Sequence, residues 1–354
     1  MSNKSILFIC PNLGSGGSEK MLVKIANHCC QMGMKCEFLL LDSRNQHYQL
    51  DNKVLVHHLN LRSMKFSFLP IIKKVRSIKP DIVFSTVTIM NVVVVISSFF
   101  FPKVKLIARE SSIISINNRY SNIGFFIDWA IKVLYRRFDL IVAQSNAMKE
   151  DLVRNYAIPE FKIVQIYNPV DIIPGAAPRI NQKNKKVTLL TVGNLRREKG
   201  YDRLLKVLAK LDLDFQYFIV GEGAEEQKLK SLCSELTLDE KVVFVGKVSE
   251  PAHYYSMADF YLIGSYYEGF PNALLEAGLF GLPSVAFDVP GGIKEIITHE
   301  SGIVVPDNDF EKYRKAIFEL TQTEWNREEI ALGIKNRFDH HLLMGKYYNL
   351  LLNV

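Results

Sequence analysis

The sequence predicts an α/β protein built of two doubly wound, parallel-sheet domains whose strand ends face a common central cleft. Three observations lead there. The chain is 354 residues long, more than one hydrophobic core usually supports, so two domains of ordinary size are expected. Short apolar runs rich in Val, Ile and Phe alternate with longer amphipathic segments from end to end, which is the βα rhythm of a parallel sheet. That rhythm stops once, near the middle.

In the first half the expected strands fall at residues 5–10, 35–41, 81–85, 104–108 and 140–143, with helical patterns between most of them. The rhythm breaks at Tyr167-Asn168-Pro169-Val170-Asp171. The next residues carry Pro174, Gly175, Pro178 and the polar run from Asn181 to Lys186, and read as an exposed linker. Strands then return at residues 187–192, 216–220, 242–245, 260–263 and 284–287. The expected organisation is an N-terminal domain over 1–170, a linker over 171–186, a C-terminal domain over 187–335, and a closing helix over 336–354 that packs back on the first domain. Domains of this kind bind ligands at the carboxyl ends of their strands.

Composition narrows the class further. Hydrophobic residues make up 48% and charged residues 23%, and no low-complexity tract or short repeat stands out, so disorder and solenoid architectures are excluded. Cys10, Cys29, Cys30, Cys36 and Cys233 include no C-x-x-C pair and sit in apolar segments. They are expected to be reduced, packed thiols of a cytoplasmic protein. The apolar run after Met1 is too short for a signal peptide. The run from Val92 to Phe101 falls short of the roughly 20 residues needed to cross a bilayer. A net charge of +7 favours anionic partners such as phosphate groups or acidic lipid headgroups. The positive charge does not gather into an aromatic-studded run or a known module, so no nucleic-acid partner is expected.

The most informative segment runs from Glu268 through Gly269, Phe270, Pro271, Asn272 and Ala273 to Glu276, after an expected strand and into a helix. Pro271 suits the first helical turn. The unpaired N–H groups of that turn, with the helix dipole, suit a bound phosphate. Glu276 lies about one and a half turns into the helix, where a carboxylate can accept hydrogen bonds from two ribose hydroxyls. It could equally be a solvated helix glutamate, but Ala273, Leu274, Leu275, Ala277 and Leu279 around it argue against full solvation. A basic loop, Gly193-Asn194-Leu195-Arg196-Arg197-Glu198-Lys199-Gly200, comes directly after the strand at 187–192. Its cations suit a diphosphate. Near the start, Gly14-Ser15-Gly16-Gly17-Ser18-Glu19-Lys20 links the first strand to the first helix and allows close backbone approach to a ligand. Glu19 stands where a dinucleotide fingerprint needs glycine, and no Gly-Lys-Ser/Thr phosphate loop occurs.

These three segments, in this order, resemble glycosyltransferase family 4, retaining enzymes with the GT-B fold, and the likeness covers nearly the whole chain. Its most specific element is the E-x7-E pattern from Glu268 to Glu276. Lys199-Gly200, Val220-Gly221-Glu222-Gly223, Gly291-Gly292 and Glu295 support it. The resemblance implies that Lys199 and a nearby arginine bind the donor diphosphate, that Glu276 binds the ribose, and that Glu268 with Gly269 to Ala273 faces the sugar. Gly16 and Gly17 would line the donor site from the first domain. The family usually has arginine where this chain has Asn194, which leaves Arg196 or Arg197 as the substitute. After the strand at 104–108 many members carry a histidine near the sugar; here Arg109-Glu110-Ser111 stands instead, as in members that build bacterial surface polysaccharides. A structural ion pair is the other reading of Arg109 and Glu110.

The function so implied is transfer of a hexose or N-acetylhexosamine from a UDP-sugar to a glycan acceptor, lipid-linked and held at the inner membrane face. Cations and helix N–H groups would stabilise the departing diphosphate. Neither metal nor further cofactor is expected, since cations and backbone donors can supply the neutralising charge. A nucleotide-sugar epimerase, a phosphorylase or a noncatalytic binding subunit on the same scaffold are the alternatives. Membrane docking is suggested by Arg62, Lys65, Phe66, Phe68, Lys73, Lys74 and Arg76, then by Phe99 to Lys105, then by Arg119 to Arg137 with Phe125, Phe126, Trp129, Ile131 and Leu134.

Overall fold

A computed structural model describes residues 4–14, 16–44, 46–61, 67–119, 124–170, 173, 176 and 186–354. The chain forms two compact units, one of Met1–Asn168 with His341–Val354, the other of Pro169–His340. Nearly all of the expected linker, and Arg62, Lys65 and Phe66 of the basic cluster, lie outside the described residues.

The first unit holds a seven-stranded sheet: β1 (Ser5–Cys10), β2 (Lys35–Leu40), β3 (Leu55–His58), β4 (Ile82–Thr86), β5 (Lys105–Arg109), β6 (Leu140–Ala143) and β7 (Ile163–Gln165). Their order is β3-β2-β1-β4-β5-β6-β7, and every pairing is parallel. The interior strands are nearly all apolar because both of their faces are covered. Leu7 and Ile9 join Val83, Leu106 and Ile141 in one buried layer. Phe8 points the other way, its ring 5.9 Å from Phe38 and 5.6 Å from Phe84. That second face is covered in part by the closing helix His340–Asn353, whose Tyr347 lies 6.5 Å from Phe84.

The second unit holds β8 (Val187–Val192), β9 (Phe215–Val220), β10 (Val242–Gly246), β11 (Phe260–Ile263), β12 (Ser284–Asp288) and β13 (Gly302–Pro306), in the order β10-β9-β8-β11-β12-β13. Again every pairing is parallel. The strand order reverses beside β8, so a crevice opens at the carboxyl ends of β8 and β11. This unit runs on to His340 rather than stopping at 335. The reason is packing: Ile330, Ala331 and Ile334 of the helix Arg327–Arg337 are buried. Ile334 fills the space over Gly278, where a Cβ would lie 2.5 Å from its Cγ1. Phe338 then meets the Phe270 ring at 5.5 Å.

Sequence patterning misses β3, β7 and β13, and all three lie at sheet edges. β7 has only three residues and β13 ends in proline, both weak strand signals, while β3 is covered on fewer sides and need not be apolar. β3 reads Leu-Val-His-His and is half exposed. All five cysteines are buried, unpaired thiols, and burial pushes the Cys29 thiol up to about 12. No helix among the described residues is long and apolar enough to cross a membrane.

One face of the first unit is apolar where it meets solvent. The helices Phe68–Ile78, Thr88–Ser97 and Gly124–Leu134 pack in sequence across it. Ile127, Ala130 and Ile131 of the last helix turn inward, while Phe125, Phe126 and Trp129 are 80%, 71% and 61% exposed. Leu69 and Phe99 are exposed as well.

Candidate active site

In the second unit the loops after β8 and β11 meet because glycine lets them. Gly200 has φ +60, and a Cβ there would lie 1.9 Å from the Gly264 carbonyl oxygen. Only glycine accepts that backbone and that approach. The end of β8 is held by two buried tyrosines, Tyr201 and Tyr261, whose hydroxyls donate to the carbonyls of Gly193 at 2.8 Å and Val192 at 3.1 Å.

From these loops Lys199 and Glu268 face one another. The Lys199 ammonium donates to both Glu268 carboxylate oxygens, at 2.8 and 2.9 Å. Ser265 Oγ donates to the same carboxylate at 2.6 Å. Glu268 is 8% exposed, so the charge pair and the hydroxyl together keep a nearly buried carboxylate satisfied. Arg196 and Arg197 are exposed on the same loop, with Arg196 3.9 Å from Glu198. Asn194 is exposed.

Gly269 and Phe270 are buried beneath the turn that enters the helix Asn272–Leu279, and Pro271 takes the N-cap position, one residue before the first helical residue. Gly291, φ +136, would set a Cβ 2.0 Å from the Glu268 carbonyl oxygen, so the loop after β12 rests on the backbone of Glu268. Asn272 and Ala273 open the helix half-buried, where first-turn amides have no intrahelical acceptor. Glu276 is half-buried one turn on. The Tyr255 hydroxyl donates to its Oε2 at 3.0 Å. Burial first, then the Glu276 charge, hold the Tyr255 hydroxyl well above its usual range, so it stays a donor.

The first unit places its candidates separately. Gly16 is the N-cap of the helix Gly17–Gln31, and both glycines are exposed. A Cβ on Gly16 would lie 2.1 Å from a Glu19 carboxylate oxygen. Burial raises the Glu19 carboxyl, against the lowering effect of the Arg109 charge. Arg109 ends β5 and is fully buried. Its Nε donates to the Tyr347 hydroxyl at 3.2 Å and its Nη2 to Asn168 Oδ1 at 2.6 Å. Its Nη1 has no hydrogen-bond partner among the described residues.

Glu110 turns to a different set of partners. Its carboxylate accepts from Thr88 Oγ1, Asn91 Nδ2 and the Tyr135 hydroxyl, each at 2.7 Å. Arg109 and Glu110 are therefore neighbours in sequence whose side chains are held by separate hydrogen-bond sets. Burial raises the Glu110 carboxyl, and those three donors oppose the rise. Val87, just before Thr88, has φ +73, a strained setting for a β-branched residue at a strand's carboxyl end.

Sequence reading misses Ser265, Tyr255 and Arg203, although each contacts or supports a singled-out residue. Arg203 had a signal: a charge among the buried apolar residues of the helix Tyr201–Leu208. Tyr255 and Ser265 had none beyond the general rule that a buried hydroxyl must find a partner. Among the described residues, no three His, Cys, Asp or Glu side chains converge as a cation site requires.

Known proteins resemble this chain in both of its halves. Residues 15–173 match the family described as Glycosyltransferase Family 4, and residues 176–336 the family described as Glycosyl transferases group 1. The chain is similar to an uncharacterized glycosyltransferase of Haemophilus influenzae, 28% identical over 98% of this chain and 97% of that one. It is also similar to the N-acetylgalactosamine-N,N'-diacetylbacillosaminyl-diphospho-undecaprenol 4-alpha-N-acetylgalactosaminyltransferase of Campylobacter jejuni, 26% identical over 92% and 91% of the two chains. In fold it matches the Anabaena protein HepE, solved in complex with UDP and glucose, with a TM-score of 0.79 at 19% identity over 99% and 100% of the chains. Two parallel sheets, a glycine-packed crevice and matches across both halves make the chain a sugar-transferring enzyme, a member of the family 4 type glycosyltransferases with the GT-B fold.

Proposed function

We propose that the enzyme moves a hexose or N-acetylhexosamine from a UDP-sugar to a hydroxyl of a lipid-linked glycan during bacterial surface polysaccharide synthesis, with the anomeric configuration retained. The observation that carries this reading is the Lys199–Glu268 pair at the carboxyl ends of β8 and β11. It is supported by the Campylobacter relative, whose name gives a diphospho-undecaprenol acceptor, and by HepE, solved with UDP and glucose.

In this reading Lys199, Arg196 and Arg197 neutralise the donor diphosphate, and the first-turn amides of the helix Asn272–Leu279 add backbone donors. Glu276, held by Tyr255, accepts the ribose hydroxyls. Glu268 positions the sugar and steadies positive charge as the glycosidic bond to the diphosphate breaks. On the acceptor side, Arg109 and Glu110 stand in place of the family's histidine, Arg109 keeping one N–H group uncommitted. The exposed aromatic helix face and its flanking cations rest on the anionic inner face of the plasma membrane.

The test is a panel of UDP-sugars offered with an undecaprenyl-diphosphate-linked sugar. Elongated lipid-linked product, free UDP and an α-linkage from an α-linked donor are expected. Isomerised donor with no elongated product would sink the reading.

A further inference from the structure

The sugar-positioning assignment of Glu268 leaves open what holds that carboxylate in place, and the answer lies one turn beyond Lys199. Arg203 is 1% exposed. A buried guanidinium is costly to desolvate, and an apolar residue would suit the buried face of the helix Tyr201–Leu208 without that cost. Its ion pair with Asp307, at 2.6 Å, engages only one of its nitrogens, and Asp307 is 41% exposed.

Nη1 also donates to Asn308 Oδ1 at 3.3 Å, while the other two donor nitrogens are spent on one segment. Nε donates to the Gly264 carbonyl at 2.7 Å, and Nη2 donates to the carbonyls of Gly264 and Ser265. The guanidinium plane is gripped between the rings of Tyr266 and Phe287, each centroid 4.2 Å from Cζ. Tyr266 is held again from the Lys199 loop, its N–H donating to the Glu198 carbonyl at 2.9 Å and its hydroxyl to Asp202 at 3.0 Å. The segment so clamped ends in Ser265, whose hydroxyl donates to Glu268.

We infer that Arg203 is a positioning residue for the transfer reaction: it fixes the Gly264–Ser265 backbone so that Ser265 orients the Glu268 carboxylate against Lys199. Only arginine offers a planar fork for two carbonyls together with flat faces for two rings. Glu276 and Tyr255 stand on other helices, so the ribose contact does not depend on this clamp, which bears on nucleotide affinity only through the Lys199–Glu268 contact. The inference rests on the assignment of Glu268 above.

The experiment compares Arg203→Lys, Ser265→Ala, the double variant and Glu268→Gln for transfer rate and UDP affinity. Expected are a fall of roughly tenfold or more in kcat for Arg203→Lys and for Ser265→Ala, with the UDP dissociation constant changed less than about threefold. The double variant should be no slower than Arg203→Lys alone, since both act through the same carboxylate. Parallel loss of UDP affinity, melting temperature and rate in Arg203→Lys would mark a merely structural role and overturn the inference. So would full activity in Ser265→Ala, or multiplicative effects in the double variant. If Arg203→Lys does not fold, Ser265→Ala alone decides. An active Glu268→Gln would sink the assignment of Glu268 itself, whereas an impaired Glu268→Gln beside active Arg203→Lys and Ser265→Ala would sink only the clamp.

Discussion

The Lys199 ammonium spans both oxygens of the Glu268 carboxylate, at 2.8 and 2.9 Å, so one cation serves a buried carboxylate while its own side chain stays 31% exposed. Replacing it by methionine leaves Glu268 with Ser265 as its remaining side-chain donor. Lys199→Met should weaken UDP binding by about 1.5 to 3 kcal/mol, the range for hydrogen bonds to charged groups. Titration calorimetry with UDP reads it, and unchanged affinity would remove Lys199 from the diphosphate site.

Because cations and amides make up the proposed diphosphate site, donor binding should survive a strong chelator. UDP affinity measured with and without the chelator should agree within error. Binding that disappears on chelation and returns with a divalent cation would show that the diphosphate is held by metal.

Glu276 accepts the Tyr255 hydroxyl, an arrangement that sets the carboxylate before any ribose arrives. Glu276→Ala should cost about 1 to 3 kcal/mol in UDP affinity through unpaired hydroxyls. Affinity for inorganic pyrophosphate, which has no ribose, should stay the same. Equal losses for both ligands would assign Glu276 a role in folding the helix instead.

Glu110 carries a pH signature. Its carboxyl is raised in the folded protein, first by burial, with Thr88, Asn91 and Tyr135 opposing. A group with a raised folded value contributes stability that is complete below its unfolded value and is lost as pH rises through the folded one. The stability difference between wild type and Glu110→Gln should therefore move against the wild type as pH climbs from the ordinary carboxylate range. Denaturant melts across that window measure it; a flat difference would mean that Glu110 titrates normally.

Phe125, Phe126 and Trp129 are open to solvent beside Lys132, Arg136 and Arg137. Sedimentation with vesicles containing anionic lipid should show binding that weakens with salt, at about 1 kcal/mol per well-placed cation. Neutralising Lys73, Lys74, Arg136 and Arg137, or replacing the three aromatics by serine, should each reduce it. A protein that ignores such vesicles at low salt does not dock this way.

Sequence alone determined the α/β class and most strands covered on both faces, since those are apolar over most of their length. It marked Lys199, Glu268 and Glu276 by residue type and spacing. Of the three edge strands that escaped, β3 did so because partial cover leaves its composition free, and β7 and β13 because one is three residues long and the other ends in proline. Tertiary structure decided the partners: that Lys199 meets Glu268 from 69 residues away, that Tyr255 serves Glu276, and that Arg109 and Glu110 turn to separate sets. It also decided which aromatics of the helix Gly124–Leu134 are core and which are surface. In that helix apolar residues occupy both faces, so periodicity carried no information, and only packing against the neighbouring helices turned Ile127 and Ile131 inward and left Phe125, Phe126 and Trp129 outside.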